Sequence, residues 1–257
     1  LNLLKRGLTS FDLKMIGITL MVLDHIHQMF YFVGAPDWFS MLGRLVAPIF
    51  LFLSAEGFHY THSRKHYMMN LLVGFWICNI SFTLIARLLP NPKVVLMNSI
   101  FGTLFLGLCF MWVLDGFFGK RKYPGKAVLG LLGLIALTIL PLLLMSSLHL
   151  SGMGLSVLLT LLPSPMLVEG GPVFIITGGL LYLFREKRWA QYLVIIILSV
   201  LSFITNGKGD YQWLMVFSLI PIALYHGQQG KKDKWFFYIF YPVHILILYA
   251  ISSLFFV

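Results

Sequence analysis

Charge is what this sequence has least of. Only 11% of its 257 residues are Asp, Glu, Lys or Arg, where a soluble domain carries roughly 25%. A chain so poor in charge would expose a large apolar surface if it folded in water, so a soluble globular domain is excluded. Cysteine is scarce as well: Cys78 and Cys109 are the only two, each inside an apolar run. They read as small packing residues, neither a disulfide nor a metal pair. The chain has no glycine-rich phosphate loop and no Gly-x-Ser-x-Gly elbow, which removes the readings those motifs would carry. It shows no internal repeat, no low-complexity tract and no polar stretch long enough for a second, soluble domain. One integral membrane domain over residues 1–257 is expected.

What the chain does have is long apolar runs. Hydrophobic residues make up 59% of it, and the mean hydropathy is +0.88. The runs approach the roughly 20 residues that a bilayer demands of a helix. In hydrocarbon the backbone must satisfy its own hydrogen bonds, so such runs read as helices; barrel strands would be shorter and alternating. The expected fold is an all-α, polytopic transmembrane helix bundle of about nine spans, at 12–33, 42–60, 67–88, 94–117, 127–147, 168–184, 190–205, 211–227 and 235–256. The stretch 148–167 is apolar but interrupted by glycines and by Pro163 and Pro165, and is read as a broken or re-entrant segment. Lys5 and Arg6 ahead of the first run imitate a signal peptide. Asp12, Lys14, Asp24 and His25 interrupt that run, and no small-residue cleavage site follows, so a retained first helix is expected.

Basic residues orient this map. With the loops numbered alternately from an inside N-terminus, 15 of the 19 Lys and Arg fall inside, from Lys5 and Arg6 through Arg64, Lys65 and Arg185 to Lys231, Lys232 and Lys234. Lys93 and Lys208 remain outside, with Arg44 and Arg87 near helix ends. Lys/Arg bias sets topology, so the N-terminus is expected in the cytoplasm. The same bias accounts for most of the net charge of +10, which therefore does not argue for nucleic acid as a partner. Counting 148–167 as a full span would put the 231–234 lysines outside.

Polar side chains inside the runs stand out, because a charge at the bilayer centre costs at least about 2.5–3.5 kcal/mol on insertion scales. The first run carries Asp24, His25, His27 and Gln28 within five positions; the second carries Arg44, then Glu56, His59 and Tyr60; the last carries Tyr241 and His244. Residues three or four apart share a helix face, so Asp24 sits over His27 and Gln28, Glu56 over His59 and Tyr60, and Tyr241 over His244. His25 lies roughly 100° round from Asp24 and can meet a different partner; it is about 20 Å along its helix, and His244 about 14 Å along its own. Asn70, Asn79, Asn98 and Glu169 are thinner candidates. Asp115, before Gly116 near a helix end, reads as structural, and His149 and His226 as interfacial. Any one of these could be a satisfied interhelical hydrogen bond, but four polar groups in five residues exceed what structural glue requires.

Histidines, carboxylates and an arginine suit general-base chemistry: a neutral His accepts a proton from an attacking hydroxyl or amine while a neighbour fixes its tautomer. Arg44 could stabilise an oxyanion or hold an anionic group. Two other classes stay open. Asp24-x-x-His27 and Glu56-x-x-His59 echo the Glu-x-x-His pattern of di-metal bundles, although Glu169 is the only obvious further carboxylate. A proton-coupled transporter would use the polar set as its path and 148–167 as a broken helix, but no inverted repeat is visible.

The chain resembles the TraX family of membrane proteins, which belongs with the wider acyltransferase-3 group. The likeness is carried by LKMIGITLMVLDHIHQMF at 13–30 and GRLVAPIFLFLSAEGFHYTHSRKHY at 43–67, by GGLLYLFR at 178–185, and by LIPIALYHGQQGKKDKWFFYIFYPVHILILY at 219–249. It departs at Glu169-Gly170-Gly171, where the family usually has Asp-Tyr-Gly. The resemblance implies acetyl transfer from cytoplasmic acetyl-CoA in a bacterial plasma (inner) membrane, with no metal. The acceptor would be an envelope protein such as conjugative pilin, a peptide, or a glycan or lipid. It places the general base at His25. Arg44 would hold CoA or polarise the thioester, with Asp24 and Glu56 completing the catalytic set. His59, Tyr60, Arg64, Lys65, Tyr241 and His244 are the expected donor-binding residues.

Overall fold

A computed structural model describes residues 7–96, 99–120, 122–147, 157, 160–207 and 209–257. Within them the chain is helical, with one isolated β-bridge between Leu8 and Tyr225. The helices are α1 (Ser10–Phe30), α2 (Asp37–Gly43), α3 (Val46–Tyr60), α4 (Arg64–Leu88), α5 (Ile100–Phe118), α6 (Pro124–Ser147), α7 (Gly171–Leu183), α8 (Arg188–Asn206), α9 (Leu219–Ala223) and α10 (Lys234–Phe255). A 3₁₀ turn, Tyr31–Val33, extends α1, and a longer 3₁₀ helix, Tyr211–Ser218, leads into α9. Seven segments among the described residues are long and apolar enough to cross a membrane. The expected polytopic helical bundle is what forms, and the protein is a membrane protein.

Four boundaries differ from the sequence reading. The second span begins at Asp37, not 42, and breaks between Gly43 and Val46, so Arg44 lies in the break. The span read from 94 begins as a helix at Ile100. The span read as 168–184 is a helix of 13 residues. The span read as 211–227 is an eight-residue 3₁₀ helix followed by five α residues, ending at Ala223. The glycine-rich front of the 148–167 segment lies outside the described residues, as do Asn98 and His149.

The chain divides into two compact units. Unit 1 comprises Leu1–Leu53, Ile85–Val95 and Lys187–Val257. Here α1 packs on α2 and α10, and the Tyr211–Ser218 helix packs on α8 and α2. The start of α1 is closed by a capping box: Thr9 Oγ1 accepts from the Asp12 N–H, and the Asp12 carboxylate accepts from the Thr9 N–H at 2.9 Å. The carbonyls of Gln228 and Gln229 accept from the Ser10 and Phe11 N–H groups. First-turn donors that a helix cannot satisfy itself are thus met by the segment after α9.

Unit 2 comprises Ser54–Leu84 and Leu96–Glu186. Its centre is α5, whose apolar window is 61% buried, whereas that of α6 is 11% buried and turned outward. Two reciprocal glycine contacts let α4 and α5 approach: Phe101 lies over Gly74, and Phe75 over Gly102. Small residues at a membrane helix contact allow this close van der Waals packing.

Candidate functional site

The polar residues of the first and last spans, with Arg44 from the second, gather in unit 1 on two faces of α1. Asp24 and His25 are adjacent, and the α-helical step turns them about 100° apart. His25 faces α10: its Nδ1 lies 2.7 Å from His244 Nε2, with the rings 5.0 Å apart and inclined by 26°. His244 is buried, and its Nδ1 lies 2.8 Å from the Phe240 carbonyl, one turn back on the same helix. The Phe240 ring stacks on His244 at 4.8 Å, and the Tyr241 ring meets both histidines edge-on.

Asp24 faces α2 and the break after it. Its carboxylate lies 3.9 Å from Arg44 Nη2. Arg44 donates through Nη2 to Ser40 Oγ at 2.6 Å, through Nε to the Ser40 carbonyl at 3.2 Å and through Nη1 to Gln212 Oε1 at 3.4 Å. A Cβ on Gly43 would overlap the Asp24 carboxyl, so the missing side chain is what admits Asp24 here. His27, the third member of the cluster, pairs with Asp37 at 3.1 Å.

The remaining predicted residues belong to unit 2. Glu56 is buried in α3, while His59, Tyr60 and Lys65 are exposed. Arg64 opens α4 and donates to Asp115 Oδ2 at 2.7 Å and to the Tyr182 hydroxyl at 3.1 Å, its guanidinium lying 4.6 Å from the Phe58 ring centre. Tyr182 donates to Asp115 Oδ1 at 2.8 Å, and Tyr123 reaches Oδ2 at 3.5 Å. Burial raises the Tyr123 phenol above its ordinary pKa, and the Asp115 carboxylate adds to the rise. Arg185 lies over the Tyr182 ring, 4.5 Å from its centre, and donates to His59 Nδ1 at 3.1 Å.

Reading the sequence missed Asp115 as a partner of Arg64, and gave no site role to Tyr182, Arg185, Ser40 or Gln212. Tyr182 and Arg185 sit inside the LYLFR run already singled out. Nothing about Ser40 or Gln212 marks them before the break at Arg44 is known. The Glu169-Gly170-Gly171 turn now has a physical reason. Gly170 and Gly171 have φ of +69° and +57°, and a Cβ on Gly170 would collide with Phe174, so larger side chains are shut out. Among the described residues, no three His, Cys, Asp or Glu side chains gather as a metal's donor set.

The family model for the TraX protein matches residues 10–252, which include every residue of the candidate site. The chain belongs to the TraX family. Curated proteins give this TraX-family chain no significant match, and neither do solved structures.

Proposed function

We propose that this TraX-family protein is a membrane-embedded acetyltransferase, related to the acyltransferase-3 group, that moves an acetyl group from cytoplasmic acetyl-CoA to an amine or hydroxyl acceptor. The observation that carries the reading is His25, a partly buried imidazole well inside a membrane-spanning helix, held at 2.7 Å by a second histidine. A histidine so placed suits a general base. His25 takes the proton of the acceptor N–H or O–H as that atom attacks the thioester carbonyl carbon. The C–S bond then breaks, and the proton passes from the imidazolium to the departing CoA thiolate.

Arg44, steadied by Ser40 and Asp24, supports the carbonyl oxygen as negative charge builds on it. Arg64 of unit 2 is already neutralised by Asp115, and no part in the unit 1 site is proposed for it, for His59, Tyr60 and Lys65, or for Glu56. The acceptor class is an envelope protein, a peptide, or a glycan or lipid. The protein would lie in a bacterial plasma membrane with its N-terminus cytoplasmic.

The test is transfer of radiolabel from acetyl-CoA to amine-bearing peptides and to glycolipid by protein purified into nanodiscs. His25→Ala should lower the rate by about 10²–10⁴ with little change in melting temperature. Undiminished transfer would refute the assignment. Proton flux in proteoliposomes without acetyl-CoA would favour a transporter instead, and stoichiometric iron or manganese in active protein would favour the di-metal alternative.

A further inference from the structure

The hydrogen bonds of the histidine pair run in one direction only. A carbonyl oxygen can only accept, so the His244 nitrogen 2.8 Å from the Phe240 carbonyl, Nδ1, carries a proton. In a neutral imidazole the other nitrogen is then bare, and His244 Nε2 accepts. The group facing it at 2.7 Å, His25 Nδ1, must donate. That places the one proton of neutral His25 on Nδ1 and leaves the lone pair on Nε2.

Resting on the assignment of His25 as the base, we propose that His244 is the positioning residue that sets this tautomer and so chooses Nε2 as the proton-accepting atom. His244 is suited to the role because its own helix holds it. Phe240 and His244 are four residues apart on α10, the Phe240 ring stacks on the imidazole at 15°, and Tyr241 meets it edge-on. A carboxylate or backbone carbonyl commonly fixes the tautomer of a working histidine. Here a neutral ring relays a carbonyl's preference through one further hydrogen bond. That arrangement puts no extra anion inside the membrane, where a charge is costly. It also explains why Asp24, the adjacent carboxylate, faces Arg44 and not the imidazole.

Two substitutions separate positioning from packing. His244→Gln offers an amide oxygen near the place of Nε2, whereas His244→Leu fills space and accepts nothing. His244→Gln should keep kcat within about tenfold of wild type, while His244→Leu should lower kcat by about 10² or more, as a wrong tautomer does in serine hydrolases. Because His244 uses its two ring nitrogens for His25 and Phe240, and not for the donor as the family resemblance implied, kcat should change more than KM for acetyl-CoA in both. The second readout needs no turnover: ¹⁵N-histidine solid-state NMR of the full chain in lipid, with the His25 signals assigned by their loss in His25→Gln. His25 should carry its proton on Nδ1 in the wild type and shift toward Nε2 in His244→Leu.

A wild-type proton on Nε2 would overturn the proposal, as would equal kcat losses in the two His244 variants. If the proton sits on Nδ1 but His25→Ala transfers acetyl normally, the base assignment fails and the tautomer inference stands. If His25→Ala is inactive but His244→Leu keeps full kcat, His244 has no positioning role and the base assignment stands.

Discussion

Removing Asp115 offers the sharpest test of how unit 2 is held. Its carboxylate accepts from Arg64 at 2.7 Å and from Tyr182 at 2.8 Å, with Tyr123 more distant at 3.5 Å. Hydrogen bonds to a charged group contribute about 1.5–3 kcal/mol each, so the two short ones set a ceiling of about 3–6 kcal/mol. The Arg64 side chain is 33% exposed and that of Asp115 15%. Water can therefore reclaim part of the stranded guanidinium, and a net loss of about 2–4 kcal/mol is expected for Asp115→Ala. At about 2–4 °C per kcal/mol for a chain of this size, the melting temperature should fall by roughly 4–16 °C. Asp115→Asn keeps an acceptor for both donors and should lose about half as much. Both free thiols lie within apolar helices, Cys78 fully buried and Cys109 partly so. With Cys109→Ala as background, labelling of the buried Cys78 by a thiol-reactive dye in detergent reports unfolding. An unchanged melting temperature for Asp115→Ala would refute the claim that this cluster ties α4, α5 and α7 together. Equal losses for the Ala and Asn variants would mean that shape, not charge, is what Asp115 contributes.

Two further outcomes follow from features already placed. Gly43→Ala drives a Cβ into the Asp24 carboxyl and should cost about 1–3 kcal/mol, as overpacking does. It should also lower acetyl transfer by loosening Asp24 from Arg44; a normal melting curve together with normal transfer would show that Asp24 has no fixed place there. A cytoplasmic reporter fused after residue 234 should be active if the Lys/Arg map is right, and a silent fusion there would break that map, through either its orientation or its number of spans.

Periodicity made much of this legible. The roughly 100° step between Asp24 and His25 anticipated that they would face different helices, and they do: one meets α2 and Arg44, the other meets α10. The pairing of Tyr241 with His244 likewise follows from their spacing on α10. What escaped was what depends on tertiary approach. The break that holds Arg44 escaped because a break in hydrogen bonding leaves no mark on the hydropathy of the GRLVAP run. Asp115 reads as structural, and it is, but its partners escaped because they come from elements 51 and 67 positions away. The segment 211–227 is hydrophobic enough for a span, but hydropathy does not distinguish an α-helix from the 3₁₀ form adopted over Tyr211–Ser218.

The two short helices bear on the bilayer itself. At about 1.5 Å per residue, the 13 residues of α7 reach about 20 Å, against a hydrocarbon core of about 30 Å. Over Tyr211–Ser218 the rise is about 2.0 Å per residue, so that segment with α9 gains a few ångströms over a plain α-helix of equal length and still falls short. Such hydrophobic mismatch is met by local thinning of the lipid or by flanking side chains that carry the polar boundary inward, at fractions of a kcal/mol per Å. Neither short helix alone matches the bilayer's apolar core as α4 or α10 can, so a crossing at either place needs neighbouring segments or thinned lipid to complete it.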